Sequence, residues 1–171
     1  KPASATPFSA LALMVLAQRA GVPAGVLSVI TGSAKEIGDA FTSNPLVRKL
    51  SFTGSTEVGR HLLQQCAHDI KKVSLELGGN APFIVFADAD IDKAVQGAVF
   101  AKFRNAGQTC VCANRFYIER SVYAEFAEKF AQAVAALQVG NGMDAGVNIG
   151  PLINHKAVNK VESLLQDALD K

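Results

Sequence analysis

Short apolar runs typical of β-strands alternate with segments of helical spacing along the whole chain. The strand-like runs are residues 26–30, 48–54, 72–77, 82–86 and 114–119. The helical segments are residues 8–20, 34–43, 55–68, 90–103, 122–137 and 154–169. Strands separated by helices are typical of α/β folds, because each helix returns the chain so that the next strand can pair in parallel. The alternation therefore predicts an α/β fold with a mostly parallel sheet.

The glycine pair Gly78-Gly79 interrupts this alternation between two strand-like runs. Glycine weakens both helices and strands, so a double glycine indicates a break in regular structure. We therefore place a boundary there, between a first part of residues 1–77 and a second part of residues 78–171.

Composition and charge exclude several classes of protein. The chain has 17 basic and 15 acidic residues and a net charge of +2. It contains no run of like charges, so we expect no nucleic-acid or membrane-surface partner. Three cysteines do not make a secreted disulfide framework, which favours a reducing, cytoplasmic location. The apolar stretch 8–21 is too short to span a bilayer, and we expect a buried helix there instead.

Two of the three cysteines, Cys110 and Cys112, stand one residue apart in the stretch NAGQTCVCANR. This spacing is not that of a zinc site, and the three histidines are scattered along the chain, so no metal is expected. Cys66 falls on the apolar side of a helical segment and is expected to be a small buried filler. Cys110 has polar and glycine neighbours typical of a loop, so it is either an exposed nucleophile or a packed side chain.

Three further features each have a functional and an ordinary interpretation. Glu76 ends an apolar strand, where α/β proteins place their sites, but a strand-end glutamate can also simply face solvent. Arg104 could bind a substrate carboxylate, or interact with the end of the preceding helix. The stretch FTGSTEVG at 52–59 could bind phosphate at a helix N-terminus, or be only a capped helix, since it matches neither GxGxxG nor a P-loop.

Four motifs in order, KPA at the start, FTGSTEVG, LELGG and GQTC, resemble those of the aldehyde dehydrogenase superfamily. The resemblance covers essentially the whole chain, and ELGGNAPF and FRNAGQTCVCANR are most similar to bacterial succinate-semialdehyde dehydrogenases. It implies that residues 1–77 are the C-terminal part of a Rossmann-like NAD(P)-binding domain. Residues 78–171 would then be the N-terminal part of the α/β catalytic domain.

The resemblance also implies chemical roles. Cys110 matches the catalytic nucleophile, whose thiolate attacks a small-molecule aldehyde and, after hydride transfer, carries a thioester. Glu76 matches the general base that activates the hydrolytic water. Arg104 matches an arginine for the distal carboxylate of succinate semialdehyde or, as the nearest alternative, glutarate semialdehyde. Cys112 matches the second cysteine of a redox pair in some semialdehyde enzymes, so we expect either a reversible disulfide or a packing role.

Five residues match the cofactor site of the family. Lys1 and Ser4 would face the adenosine ribose, Gly54 and Ser55 the pyrophosphate, and Leu77 would contact the cofactor beside the general base. Many NAD-preferring relatives carry glutamate at the position of Ser4, where its charge repels a 2′-phosphate. With a neutral hydroxyl there, we expect NADP to be used at least as well as NAD.

The family has further functional residues outside the matched stretch. Its oxyanion-stabilising Asn lies before the lysine that matches Lys1, and its second ribose-binding Glu and its oligomerisation strand lie beyond the position of Lys171. We therefore expect an internal segment of a longer homo-oligomeric enzyme, a tetramer or a dimer, with negligible turnover by itself. The other class that the sequence leaves open is a dinucleotide-binding module without catalysis.

Overall fold

The computed structural model describes all 171 residues, which form two compact units, Lys1–Leu77 and Gly78–Lys171. The first unit contains α1 (Phe8–Arg19), α2 (Ala34–Ser43), β1 (Lys49–Gly54), α3 (Thr56–Ala67) and β2 (Lys72–Leu77). The second contains β3 (Ala81–Val85), α4 (Ile91–Phe103), a 3₁₀ turn (Arg104–Gly107), β4 (Ala113–Ile118), α5 (Tyr123–Ala135) and α6 (His155–Leu169). That these units belong to a cofactor domain and a catalytic domain stays a prediction.

In the first unit, β1 and β2 pair in parallel, with α3 as the connection between them. Ser55 caps α3, since its Oγ accepts a hydrogen bond from the backbone N–H of Val58 at 3.3 Å. The apolar face of α3 places Leu62 and Cys66 in a core with Leu50. Cys66 is buried, which confirms its predicted packing role, and burial raises the pKa of its thiol.

In the second unit, β3 and β4 also pair in parallel, with α4 between them in the chain. Asp90 caps α4 through a 3.1 Å hydrogen bond from the N–H of Lys93. The core joins the sheet to α4 and α5, since it contains Val85, Val95, Ala98 and Phe126. Aromatic rings extend it, with centroid distances of 5.4–5.5 Å along a series that consists of Phe83, Phe116, Phe130 and Phe126. The predicted α/β fold with parallel strands is therefore confirmed.

The predicted strand at 26–30 is wrong. These residues form a turn and irregular backbone, beginning with a 3.2 Å hydrogen bond from the N–H of Val26 to the carbonyl of Pro23. A strand exists only where a neighbour completes its hydrogen-bond ladder, and β1 and β2 pair only with each other. Local apolar character could not reveal that this run has no neighbouring strand in the chain.

The stretch at 8–20 forms the predicted helix, but the helix is not buried. None of the residues of α1 is buried, and Leu13 is 63% exposed. Only a stripe of Ala10, Met14 and Ala17 is half-buried. The apolar side chains of α1 point in all directions around the helix axis. Because the rest of the chain packs against one side only, most of them stay exposed. No helix of the chain is both long and apolar enough to cross a membrane.

Candidate active site

The carboxyl ends of β1 and β2 bring four of the predicted site residues to one edge of the first unit. The parallel register pairs Thr53 with Glu76 and Gly54 with Leu77. Ser55 follows directly as the N-cap of α3. The predicted pyrophosphate turn and the predicted general base therefore end adjacent strands, which is where open α/β sheets bind ligands.

Side chains alternate along β2 so that Glu76 lies on its exposed face, whereas Leu77 is half-buried. Leu77 packs against α3, where a Cβ added at Gly59 would lie 2.6 Å from its Cδ2. A Cβ at Gly54 would collide with the ring of Phe52. The two glycines of FTGSTEVG thus permit close packing around the strand ends, in addition to any role toward a phosphate. The side chain of Glu76 is exposed, whereas catalytic carboxylates are often buried.

A cavity of about 360 Å³ lies beside the first residues of the chain. Lys1 and Ser4 both line it, and the ammonium of Lys1 donates a 3.3 Å hydrogen bond to the hydroxyl of Ser4. The N-terminus of α2 closes the other side, with Gly32 and Ser33. An ammonium, a hydroxyl and a helix N-terminus around one cavity form a donor set suited to an anionic or polyhydroxyl group.

The loop between α4 and β4 carries two cysteines, one exposed to solvent and one buried. Cys110 is exposed, whereas Cys112 is 2% exposed. The thiol of Cys112 donates a 2.9 Å hydrogen bond to the carbonyl oxygen of Lys102, in the last turn of α4. The two thiols are free, and their pairing in a redox switch stays a prediction. Reversible peroxide inactivation that survives Cys112→Ala would contradict that switch.

The segment before Cys110 has an unusual backbone. Asn105, Ala106 and Gly107 are consecutive residues with positive φ, at 55°, 56° and 75°. Only glycine adopts this conformation without strain, so the turn needs support from its surroundings. Gln108 supplies it, because its side-chain amide donates to the carbonyl of Asn105 and its Oε1 accepts from the N–H of Ile153 at 2.9 Å.

A second segment of this unit lies against the loop of residues 104–112, which carries Cys110. At Gly79, an added Cβ would lie 2.8 Å from the carbonyl oxygen of Cys110. The guanidinium of Arg115 donates two hydrogen bonds, at 3.1 and 2.8 Å, to the carbonyl oxygen of Asn80. Residues 79–80 therefore contact the chain on both sides of Cys112, at Cys110 in the loop and at Arg115 in β4.

Arg104 lies at the C-terminal end of α4, six residues before Cys110. Its guanidinium carbon is 5.1 Å from the centroid of the Phe100 ring, a cation–π contact. It pairs with no carboxylate of the chain. The planar cation is therefore held by one face of an aromatic ring while its N–H donors are available to a ligand.

The first unit thus collects Gly54, Ser55, Glu76 and Leu77 at one edge, and Lys1 and Ser4 around a cavity. The second unit collects Arg104, Cys110 and Cys112 at the end of α4. No group of three His, Cys, Asp or Glu side chains is arranged to hold a metal ion. Sequence reasoning missed the contact of Gly79 with Cys110 and the link from Lys102 to Cys112. The glycine motif was a signal for the first, whereas nothing in the sequence indicated the second.

A family model described as "Aldehyde dehydrogenase family" matches residues 1–171. The chain belongs to the aldehyde dehydrogenase family. This aldehyde dehydrogenase segment is 71% identical over 171 residues to the succinate-semialdehyde dehydrogenase [NADP(+)] GabD of Escherichia coli, and covers 36% of that protein. It is 67% identical to a glutarate-semialdehyde dehydrogenase of Pseudomonas putida, again over the whole chain and 36% of the relative.

A solved structure of an NADP-dependent enzyme of E. coli matches the aldehyde dehydrogenase segment with a TM-score of 0.96 and 70% identity. The match covers 99% of the segment and 35% of that structure. The chain thus spans about a third of the length of the relatives that it matches.

Proposed function

We propose that a full-length protein carrying these residues oxidises succinate semialdehyde to succinate, with a nicotinamide dinucleotide as hydride acceptor. The observation that carries this proposal is the exposed Cys110 on a loop that the buried Cys112 anchors, in a family member with over 65% identity to semialdehyde enzymes. The runner-up substrate is glutarate semialdehyde, because the second of these relatives carries that name. Other ω-oxo acids share the same chemistry.

Cys110 would act as the nucleophile of the reaction. Its thiolate sulfur forms a bond to the aldehyde carbon, whose π electrons move to oxygen, giving a thiohemiacetal. Loss of hydride from that carbon restores the carbonyl as a thioester on Cys110. Water then adds to the thioester and the C–S bond breaks, which releases the carboxylic acid and returns the thiol.

Glu76 would take a proton from the water that hydrolyses the thioester. This role is general-base catalysis, which needs an ionised carboxylate within hydrogen-bond reach of the water. The exposed position of Glu76 at the end of β2 leaves its oxygens accessible to water. In the parallel register Glu76 pairs with Thr53, the residue before Gly54, which supports a position close to the proposed pyrophosphate turn.

Arg104 would bind the far carboxylate of the substrate. Guanidinium and carboxylate form paired, charge-assisted hydrogen bonds, and Phe100 already holds the guanidinium plane on one side. Both semialdehydes named in the relatives carry such a carboxylate at the end opposite the aldehyde. Recognition of that charge, more than of chain length, would therefore separate these substrates from neutral aldehydes.

We expect Arg104→Ala to raise KM for succinate semialdehyde by roughly thirtyfold to a thousandfold, the cost of one charged contact. For butyraldehyde, of the same chain length without a carboxylate, KM should change by less than about threefold, since the lost contact was never made. Steady-state kinetics on a series of ω-carboxylated aldehydes measures both effects, and ranks succinate against glutarate semialdehyde. Arg120→Ala, at another exposed arginine of the same unit, is the matched control. Equal losses on charged and neutral aldehydes would contradict the assignment.

The cofactor would lie along the first unit, and NADP is the proposed form, with NAD also accepted. Lys1 and Ser4 would hold the adenosine ribose and its 2′-phosphate, since both line the 360 Å³ cavity and offer donors to it. Gly54 and Ser55 would lie at the pyrophosphate, and Leu77 under the nicotinamide end. When bound, the dinucleotide supplies the hydride acceptor.

We expect kcat/KM with NADP to equal or exceed that with NAD. A Ser4→Glu variant should lose about a hundredfold in kcat/KM for NADP relative to NAD, because its carboxylate would pair with Lys1 and repel a 2′-phosphate. Ser9→Glu, an exposed serine outside the cavity, is the control for added charge. A wild-type preference for NAD of about tenfold or more would overturn the cofactor assignment.

The family membership also supports a cytoplasmic homo-oligomer as the working form of the full-length protein. The proposal of a different class is a dinucleotide-binding module without catalysis. It predicts that the wild-type protein binds the dinucleotide around Lys1 and Ser4 but oxidises no aldehyde. Aldehyde oxidation by the wild-type full-length protein, and its loss in Cys110→Ala, decide between the two.

A further inference from the structure

The last turn of α4 leads directly into residues 104–112, the loop that carries the proposed nucleophile Cys110 and that we call the nucleophile loop. The final carbonyl groups of a helix have no N–H partner within the helix and need one from elsewhere. At Lys102 the thiol of Cys112 provides that donor, at 2.9 Å. The same oxygen lies close to Gly107, where a Cβ would come within 3.2 Å of it and where φ is 75°. The loop therefore folds tightly over this single carbonyl group.

The side chain of Lys102 makes a second connection, to the start of β4 directly after the loop. Its ammonium donates a 2.8 Å hydrogen bond to Oδ1 of Asn114. The amide nitrogen of Asn114 in turn lies 3.5 Å from the carbonyl oxygen of Gly79, the residue that contacts the backbone of Cys110. Lys102 is thus joined to residues on both sides of position 113, through its main chain and its side chain.

We propose that Lys102 is the positioning residue of the nucleophile loop, acting through Cys112 and Asn114. The inference rests on the proposed function, in which Cys110 is the nucleophile. The side chain of Cys110 is exposed, so its place is set by the backbone that carries it. That backbone is fixed two residues later by Cys112 and four residues later by Asn114, both of which meet Lys102.

This arrangement gives Cys112 a definite structural role. Its thiol donates a hydrogen bond to the carbonyl oxygen of Lys102, and the residue is 2% exposed. A serine at position 112 can donate to the same carbonyl, whereas an alanine cannot. Rescue by serine therefore separates the hydrogen bond from simple filling of space.

The test measures how well Cys112 is protected from alkylation in a full-length Cys110→Ala background, where the buried Cys66 serves as an internal reference. We expect Lys102→Met to raise the rate of iodoacetamide modification of Cys112 about tenfold, because local opening exposes it, and to leave Cys66 unchanged. Mass spectrometry of the separate peptides gives both rates. Lys93→Met, an exposed lysine of the same helix, is the matched control and should leave both rates unchanged.

Activity supplies the second readout, with Cys110 in place. Lys102→Met and Cys112→Ala should each lower kcat by about tenfold while KM for NADP stays within about twofold, and Cys112→Ser should recover most of kcat. Unchanged protection of Cys112 in Lys102→Met, or equal loss of protection at Cys66, would overturn the proposal. A wild-type protein that oxidises no aldehyde would overturn the proposed function instead, while the alkylation ratio still decides the role of Lys102.

Discussion

A Cys110→Ala variant of the full-length protein should lose aldehyde oxidation by about 10⁴-fold or more, because the proposed thioester forms on the Cys110 sulfur and an alanine methyl group cannot attack the aldehyde. It should still bind NADP, since the ribose and pyrophosphate contacts proposed for the cofactor come from other residues, Lys1, Ser4, Gly54 and Ser55. Steady-state kinetics with succinate semialdehyde measures the first effect, and fluorescence titration with NADPH measures the second.

The matched control for this variant is Cys66→Ala. Cys66 is a buried thiol in the core of the first unit, and its removal tests the loss of a cysteine without touching the proposed site. We expect it to lower stability by about 1 kcal/mol, the cost of a small cavity, and to leave kcat within about twofold. If Cys110→Ala instead retained a tenth of the wild-type rate, Cys110 would not be the nucleophile. A wild-type protein that binds NADPH but oxidises no aldehyde would instead be a dinucleotide-binding module.

Local sequence pattern predicted the helices and all four strands of the structure, because each depends on periodicity that a short segment displays by itself. The capped helix that FTGSTEVG predicted is α3, whose N-cap is Ser55. The run at 26–30 was mispredicted because strand formation depends on a neighbour, and apolar character does not reveal one. The prediction that α1 is buried was wrong for the same reason, because burial depends on what packs around a helix.

The candidate site shows the same limit at the level of single residues. The polar residues around Cys110 predicted a loop, and its thiol is exposed while that of Cys66 is not. Which residues hold that loop could not be predicted, because the contact of Gly79 and the hydrogen bonds of Lys102 join segments that are distant in sequence. Sequence motifs thus indicated the reacting groups, whereas the tertiary contacts that position them required the structure.

Gly79 gives the second large effect that we expect. An alanine there would place its Cβ 2.8 Å from the carbonyl oxygen of Cys110, closer than real Cβ atoms approach. The Cβ is fixed to the backbone of residue 79, and the atom that it meets is a backbone oxygen. No side-chain rotation can therefore relieve the clash, and the loop itself must move. We expect Gly79→Ala to lower kcat by about a hundredfold, the cost of displacing a reacting group by about an ångström. The free energy of unfolding should fall by about 1–3 kcal/mol, as for other overpacked sites.

The neighbouring glycine provides a control at the adjacent position of the same segment. A Cβ at Gly78 would meet no atom within 4 Å, so Gly78→Ala adds the same methyl group without the clash. Alkylation of Cys110 without cofactor compares the two variants independently of cofactor binding. Gly79→Ala should change the alkylation rate by about tenfold, since the backbone carrying the thiol shifts, and Gly78→Ala by less than about twofold. Equal rates in the two variants would mean that the contact between Gly79 and Cys110 does not position the nucleophile. Lys102 would then be left as its main anchor.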